Sequence, residues 1–75
     1  MSRILVEYKG QKVKVTNNGD IEAFKNSIEE KLQISLDEHR LEYKDGYNWI
    51  RICNNEDLED VSHETSVRVV SDKGD

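Results

Sequence analysis

Apolar positions along this chain follow two different periods. Ile4, Val6 and Tyr8 alternate with Arg3, Leu5, Glu7 and Lys9, as in a strand with one buried face. Lys9-Gly10-Gln11 reads as a turn. Val13 and Val15 then alternate with Lys12 and Lys14, which predicts a hairpin partner. Asn17-Asn18-Gly19 ends that strand, because Asn and Gly tolerate positive φ. The period then lengthens. Ile21, Phe24, Ile28 and Leu32 recur every three or four residues and form one apolar stripe on a helix of about three turns. Asp20 is placed to cap it, and Glu22 sits in the first turn, where the helix dipole favours a carboxylate. Residues 33–36 add apolar side chains that close the core without helical spacing.

Period two then returns. Residues 40–44 predict a strand with Leu41 and Tyr43 inward, followed by a tight turn at Asp45-Gly46. In the fourth strand Ile50 and Ile52 are expected to face the core, with Trp49, Arg51 and Cys53 on the other side. Leu58 and Val61 anchor a short acidic helical turn. Val67 and Val69 point inward from a last strand over residues 66–70, and residues 71–75 read as a frayed tail. A helix with one apolar stripe must cover the buried face of a sheet. The expected architecture is α+β: a mixed sheet of four to five strands, one main helix and a short second helix. With the first and last strands parallel at the centre, this is the β-grasp, or ubiquitin-like, arrangement over residues 1–75 as a single domain.

Charge sharpens the picture. The chain has 75 residues, 36% of them charged, and a formal net charge of −5. That length supports one modest core. The net charge disfavours nucleic acid and anionic membranes as partners. No apolar run is long enough to span a membrane, no signal-peptide profile opens the chain, and the lone Cys53 has no internal disulfide partner. A cytoplasmic setting is the expectation. The charge is also unevenly spread. Arg3, Lys9, Lys12 and Lys14 face only Glu7 near the N-terminus, whereas Glu56, Asp57, Glu59, Asp60 and Glu64 form a run with no Lys or Arg.

Catalysis finds little support. Cys53 with His39 or His63 has no local spacing that suggests a thiol–imidazole pair, and a cysteine on a strand is more often a small packed residue. No loop alternates oxygen ligands for a cation, and no Gly-rich loop is suited to phosphate. The chain is therefore expected to be a non-enzyme without metal or cofactor.

The stretch Tyr43-Lys44-Asp45, followed by Ile50-Arg51-Ile52-Cys53-Asn54-Asn55-Glu56-Asp57-Leu58, resembles the acidic signature of Phox/Bem-type (PB-one) interaction domains. Those domains join front to back, the acidic face of one against the basic face of another. Gly46, Tyr47, Asn48 and Asn55 stand where the family more often has acids. The resemblance implies a partner-binding set of Asp45, Glu56, Asp57, Glu59 and Asp60. Asp45 and Asp57 are expected to matter most, with Glu59 and Asp60 adding field. Helix capping is the alternative role for Asp57. Trp49 is either a partner-facing ring near the acidic edge or a cover for the back of the sheet beside Arg51. The expected partner is another domain with a Lys- or Arg-rich face.

The family's basic face centres on a first-strand Lys. Strand parity puts Glu7 at that place, which implies heterodimers more than self-association. Arg3, Lys9, Lys12 and Lys14 are the expected alternative basic face; in the alternative reading a ubiquitin-like module docks a different partner, such as a small GTPase, through its first hairpin by strand addition, with Arg3, Lys12 and Lys14 as the binding residues. Ubiquitin is also similar over residues 40–43 and 67–70. Glu42 replaces the Ile of its receptor patch, and residues 72–75 lack the terminal Gly-Gly of a conjugated modifier.

Overall fold

The computed structural model describes residues 2–72. Its elements run β1 (Ser2–Tyr8), β2 (Gln11–Asn17), α1 (Ile21–Leu32), β3 (His39–Asp45), β4 (Asn48–Arg51), α2 (Asn55–Glu59) and β5 (Val67–Ser71). The strands form one sheet in the order β2-β1-β5-β3-β4. β1 and β5 pair in parallel at its centre, and the other neighbours are antiparallel. This α+β architecture, a five-stranded mixed sheet with one main helix and a short second one, is compatible with a β-grasp-like fold.

Local chemistry explains the elements. The first hairpin turns through Lys9 at φ +48 and Gly10 at φ +82. Two consecutive positive φ values give the primed turn whose twist matches the flanking strands. Asp20 caps α1 by accepting a hydrogen bond from the Glu22 amide at 3.1 Å. The helix ends at Gln33, which is left-handed at φ 58, and its amide donates to the Glu29 carbonyl at 2.8 Å. Phe24, Ile28 and Leu32 are buried, as the stripe predicts. They meet Ile4, Val6, Val15, Leu41, Tyr43, Val67 and Val69 from the sheet, and Leu36, Ile52, Leu58 and Val61 complete the core.

Two local expectations are corrected. Ile50 pairs with Tyr43 on the inward side but is exposed. β4 is a four-residue edge strand, and α1 lies nearest β2 at the opposite edge, so helix cover does not reach it. The expected frayed tail begins too early. Ser71 belongs to β5, the Asp72 amide donates to the Glu38 carbonyl at 3.0 Å, and the Asp72 carboxylate receives Arg40 Nη1 at 3.2 Å. Residues 73–75 of that expectation lie outside the described residues.

Candidate anionic docking face

Two carboxylates, Asp45 and Asp60, line one depression with the Tyr43 phenol. Tyr43 and Asp45 share the inward side of β3, and Asp45 lies at the strand end, opposite Asn48 across the turn. Gly46 takes φ +65 as the first central residue of that turn, a geometry suited to glycine. Asp60 ends α2, and its Oδ2 lies 3.5 Å from the Tyr43 hydroxyl, a long contact in which the phenol donates. Burial raises the Tyr43 pKa above its ordinary value, and the negative charges of Asp60, Asp45 and Asp57 raise it further. A shallow depression of 390 Å³ opens beside them, lined by Tyr43, Lys44, Asp45, Gly46, Asp60 and Thr65.

α2 is held in place by amides as well as by Leu58. Asn54 caps it, accepting from the Asp57 amide at 3.0 Å, while Asp57 Oδ2 accepts from the Cys53 amide at 2.7 Å. This reciprocal pair resembles a capping box and leaves Asp57 half-buried. Asn54 is the N-cap, and Asp57 engages one oxygen with the amide of Cys53, the residue before that cap. The buried Asn17 side chain donates to the Leu58 and Val61 carbonyls at 3.2 and 3.3 Å, satisfying the C-terminal end. Asn55 Oδ1 accepts from the Ile21 amide at 2.8 Å and ties α2 to the start of α1. Neither asparagine's role in holding α2 was visible in the sequence, because the groups they bond are more than thirty residues away.

The other sequence candidates fall elsewhere. Glu56 is exposed on the first turn of α2. Glu59 borders a different depression, with Ser2, Asn17, Asn18 and Gly19. Asp60, expected only to add field, lies nearest the phenol. Trp49 is not part of this cluster. It lies half-buried on the outward side of the sheet, opposite Lys44, with the Arg68 guanidinium 3.9 Å from its ring centroid. Its ring meets Arg68 and, at 5.9 Å, Lys44 Nζ. Lys12 and Lys14 stand outward opposite Glu7 and Leu5, Arg3 opposite Thr16, and Lys9 Nζ lies 5.5 Å from the Tyr8 ring at the hairpin tip.

The electrostatic setting is one-sided. Among the described residues, Asp45, Glu56, Asp57, Glu59 and Asp60 make no ion pair with a Lys, Arg or His. Lys44, next to Asp45 in the chain, points to the outward face, its Nζ 5.9 Å from the Trp49 ring. No group of three or more His, Cys, Asp or Glu among the described residues is arranged to hold a metal ion. Among the described residues no helix is long and apolar enough to cross a membrane. Carboxylates gathered without a counter-ion favour an incoming cationic surface. No protein-family model matches the chain, and no curated protein matches it.

Proposed function

We propose that the chain is a protein–protein interaction module of the Phox/Bem (PB-one) type, which uses its acidic edge to bind the Lys- or Arg-rich face of a partner domain in the cytoplasm. The observation that carries this reading is that Asp45 and Asp60 line one depression with Tyr43, Asp60 Oδ2 lying 3.5 Å from the phenol, and that neither makes an ion pair among the described residues. A single exposed ion pair contributes only about 0–1 kcal/mol. Several pairs around one depression speed encounter and add specificity. Glu7 takes the outward place that a first-strand Lys would need, which supports heterotypic over self-pairing. Strand addition by a small GTPase along the β2 edge is the second reading. One observation weighs against it: Lys31 Nζ already donates to the Lys14 carbonyl on that strand.

The test is an amide-shift titration with a basic-face domain of this type at two salt concentrations. The expected result is shifts centred on residues 43–47 and 54–60 that shrink as salt rises. Asp45→Lys with Asp60→Lys abolishes them; Asp57 is left intact because its bond to the Cys53 amide would be lost with it. Shifts confined to β1 and β2, or indifference to the double reversal, overturn the reading.

A further inference from the structure

The two edges of the sheet are treated differently, and the difference is independent of the acidic docking face. β2 forms one edge and β4 the other. The β2 edge is guarded. Lys12 and Lys14 are exposed on it, and Lys31 Nζ donates to the Lys14 carbonyl. Lysines on an edge strand discourage a further strand from pairing there. β4, Asn48-Trp49-Ile50-Arg51, carries no Lys, and no described strand lies beyond it.

The phase of the hydrogen bonds fixes which backbone groups of β4 are open. The Ile52 amide donates to the Leu41 carbonyl at 2.8 Å. In an antiparallel ladder, bonded pairs alternate with non-bonded ones. Tyr43 with Ile50 and Asp45 with Asn48 are therefore bonded pairs, and Glu42 with Arg51 and Lys44 with Trp49 are not. The far side of β3 agrees in phase, because the Lys44 amide turns toward β5 and donates to the Ser66 carbonyl at 2.9 Å. The amides and carbonyls of Trp49 and Arg51 thus point away from β3, past the edge of the sheet. Between them Ile50 stands exposed on the inward side, where α1 does not reach.

We propose that β4 is a self-pairing edge, through which two copies of this chain join in an antiparallel, two-fold arrangement. Register selects this occupant. With the open groups at Trp49 and Arg51, the Trp49 backbone of each copy bonds the Arg51 backbone of the other, and the two-fold axis runs between the two Ile50 residues. Ile50 then meets Ile50 of the second copy in a non-bonded pair, the kind in which side chains lie closest. The row across the junction reads Tyr43, Ile50, Ile50, Tyr43, so the apolar side chain left open in each copy is covered by its own counterpart. Asp45 lies outside that row, opposite Asn48. A contact of four residues from each copy is small, and the association is expected to be weak.

The experiment follows the chain alone by sedimentation equilibrium and amide hydrogen exchange up to about 1 mM. A concentration-dependent dimer is expected. The Trp49 and Arg51 amides should exchange more slowly as concentration rises, while the Ile50 amide, already bonded to Tyr43 in each copy, should not change. Ile50→Lys should abolish both effects. Each copy carries a net charge of −5, so added salt should tighten the dimer, the opposite of its effect on docking at the acidic edge. Register has its own test. In a Cys53→Ser background, Ile50→Cys should oxidise to a cross-linked dimer at least about tenfold faster than Asn48→Cys, because only position 50 faces itself across the axis. A monomer at about 1 mM, association that survives Ile50→Lys, equal cross-linking at positions 48 and 50, protection on β2 or the acidic edge in place of β4, or a dimer that loosens with salt overturns the proposal.

Discussion

Glu42 and Asp60 are carboxylates on opposite sides of the same sheet, and they are treated in opposite ways. Glu42 is buried on the outward side, and each of its oxygens receives a guanidinium, Arg68 on one and Arg40 on the other. Burial pushes its pKa up, but the hydrogen bonds from Arg40 and Arg68 and their charges outweigh that, and the net shift is downward. Asp60 is exposed, meets only the Tyr43 hydroxyl, and shares its neighbourhood with Asp45 and Asp57. The first arrangement is self-sufficient. The second leaves negative charge without a Lys or Arg partner among the described residues. The contrast separates a carboxylate paired within the fold from carboxylates that are not, and the following substitutions act on one side of it at a time.

The largest effect is expected at the support of the acidic edge. Leu58 is 1% exposed, and Leu58→Ala should cost about 2–5 kcal/mol in urea unfolding through lost burial and a residual cavity. Asn17→Ala follows at about 1–3 kcal/mol, since the Leu58 and Val61 carbonyls lose their buried donor. Each kcal/mol lowers Tm by roughly 4–8 °C for a domain of this size. Both variants should raise amide exchange across residues 54–61 while leaving the Arg68–Glu42 contacts in place. Exchange that rises equally in β3 and β5 would show that the two regions are not separable.

Glu42→Gln acts on the other side and is smaller. Arg40 and Arg68 are about a third exposed, so water compensates for much of the lost pairing, and about 1 kcal/mol is expected at neutral pH. The pH dependence carries the sharper information. The folded-state pKa of Glu42 lies below its ordinary value, so its contribution is present above the ordinary carboxylate range and fades as pH falls through the lowered value. The variant should therefore lose less stability than the parent between neutral and acid pH. Parallel acid-unfolding curves would remove Glu42 from the structural side of the contrast.

Much of this layout was legible along the chain because it is local. The alternation around Ile4 and Val6, the stripe from Ile21 to Leu32, the cap at Asp20 and the turn at Gly46 each depend on residues within about one element, where propensity and periodicity operate. The parallel pairing of β1 with β5 followed from the element order. What escaped depends on register between distant strands. Glu42 meets Arg68 only because β3 and β5 align at those residues, and that alignment also lays Arg68 over Trp49. Ile50 carried the right parity, but parity says nothing of how far a helix reaches across a sheet. In the acidic run, charge density was visible, but not which carboxylates a five-residue helix would turn toward Asp45. That choice falls to Asp60, which lines one depression with Asp45, while Glu59 borders another.

The smallest effect in stability is the most direct reading of the acidic edge. Asp60→Asn should change unfolding free energy by no more than about 0.5 kcal/mol, since the residue is exposed and its one contact is long. Its effect on Tyr43 should be measurable all the same. Burial raises the Tyr43 pKa first, and Asp60 is the largest of the charged contributors, ahead of Asp45 and Asp57. Removing that charge lowers the ionisation of Tyr43 toward the ordinary tyrosine value, as followed by phenolate absorbance against a Tyr43→Phe background. Because the folded-state pKa is raised, the associated stability is present below about pH 10 and is lost as pH rises through the raised value. Asp60→Asn should therefore soften the alkaline loss, Asp45→Asn should do so to a lesser degree, and Glu42→Gln should leave the Tyr43 titration where it was. A Tyr43 titration unmoved by Asp60→Asn would mean that the carboxylates do not act together on the phenol, and the anionic edge would lose its centre.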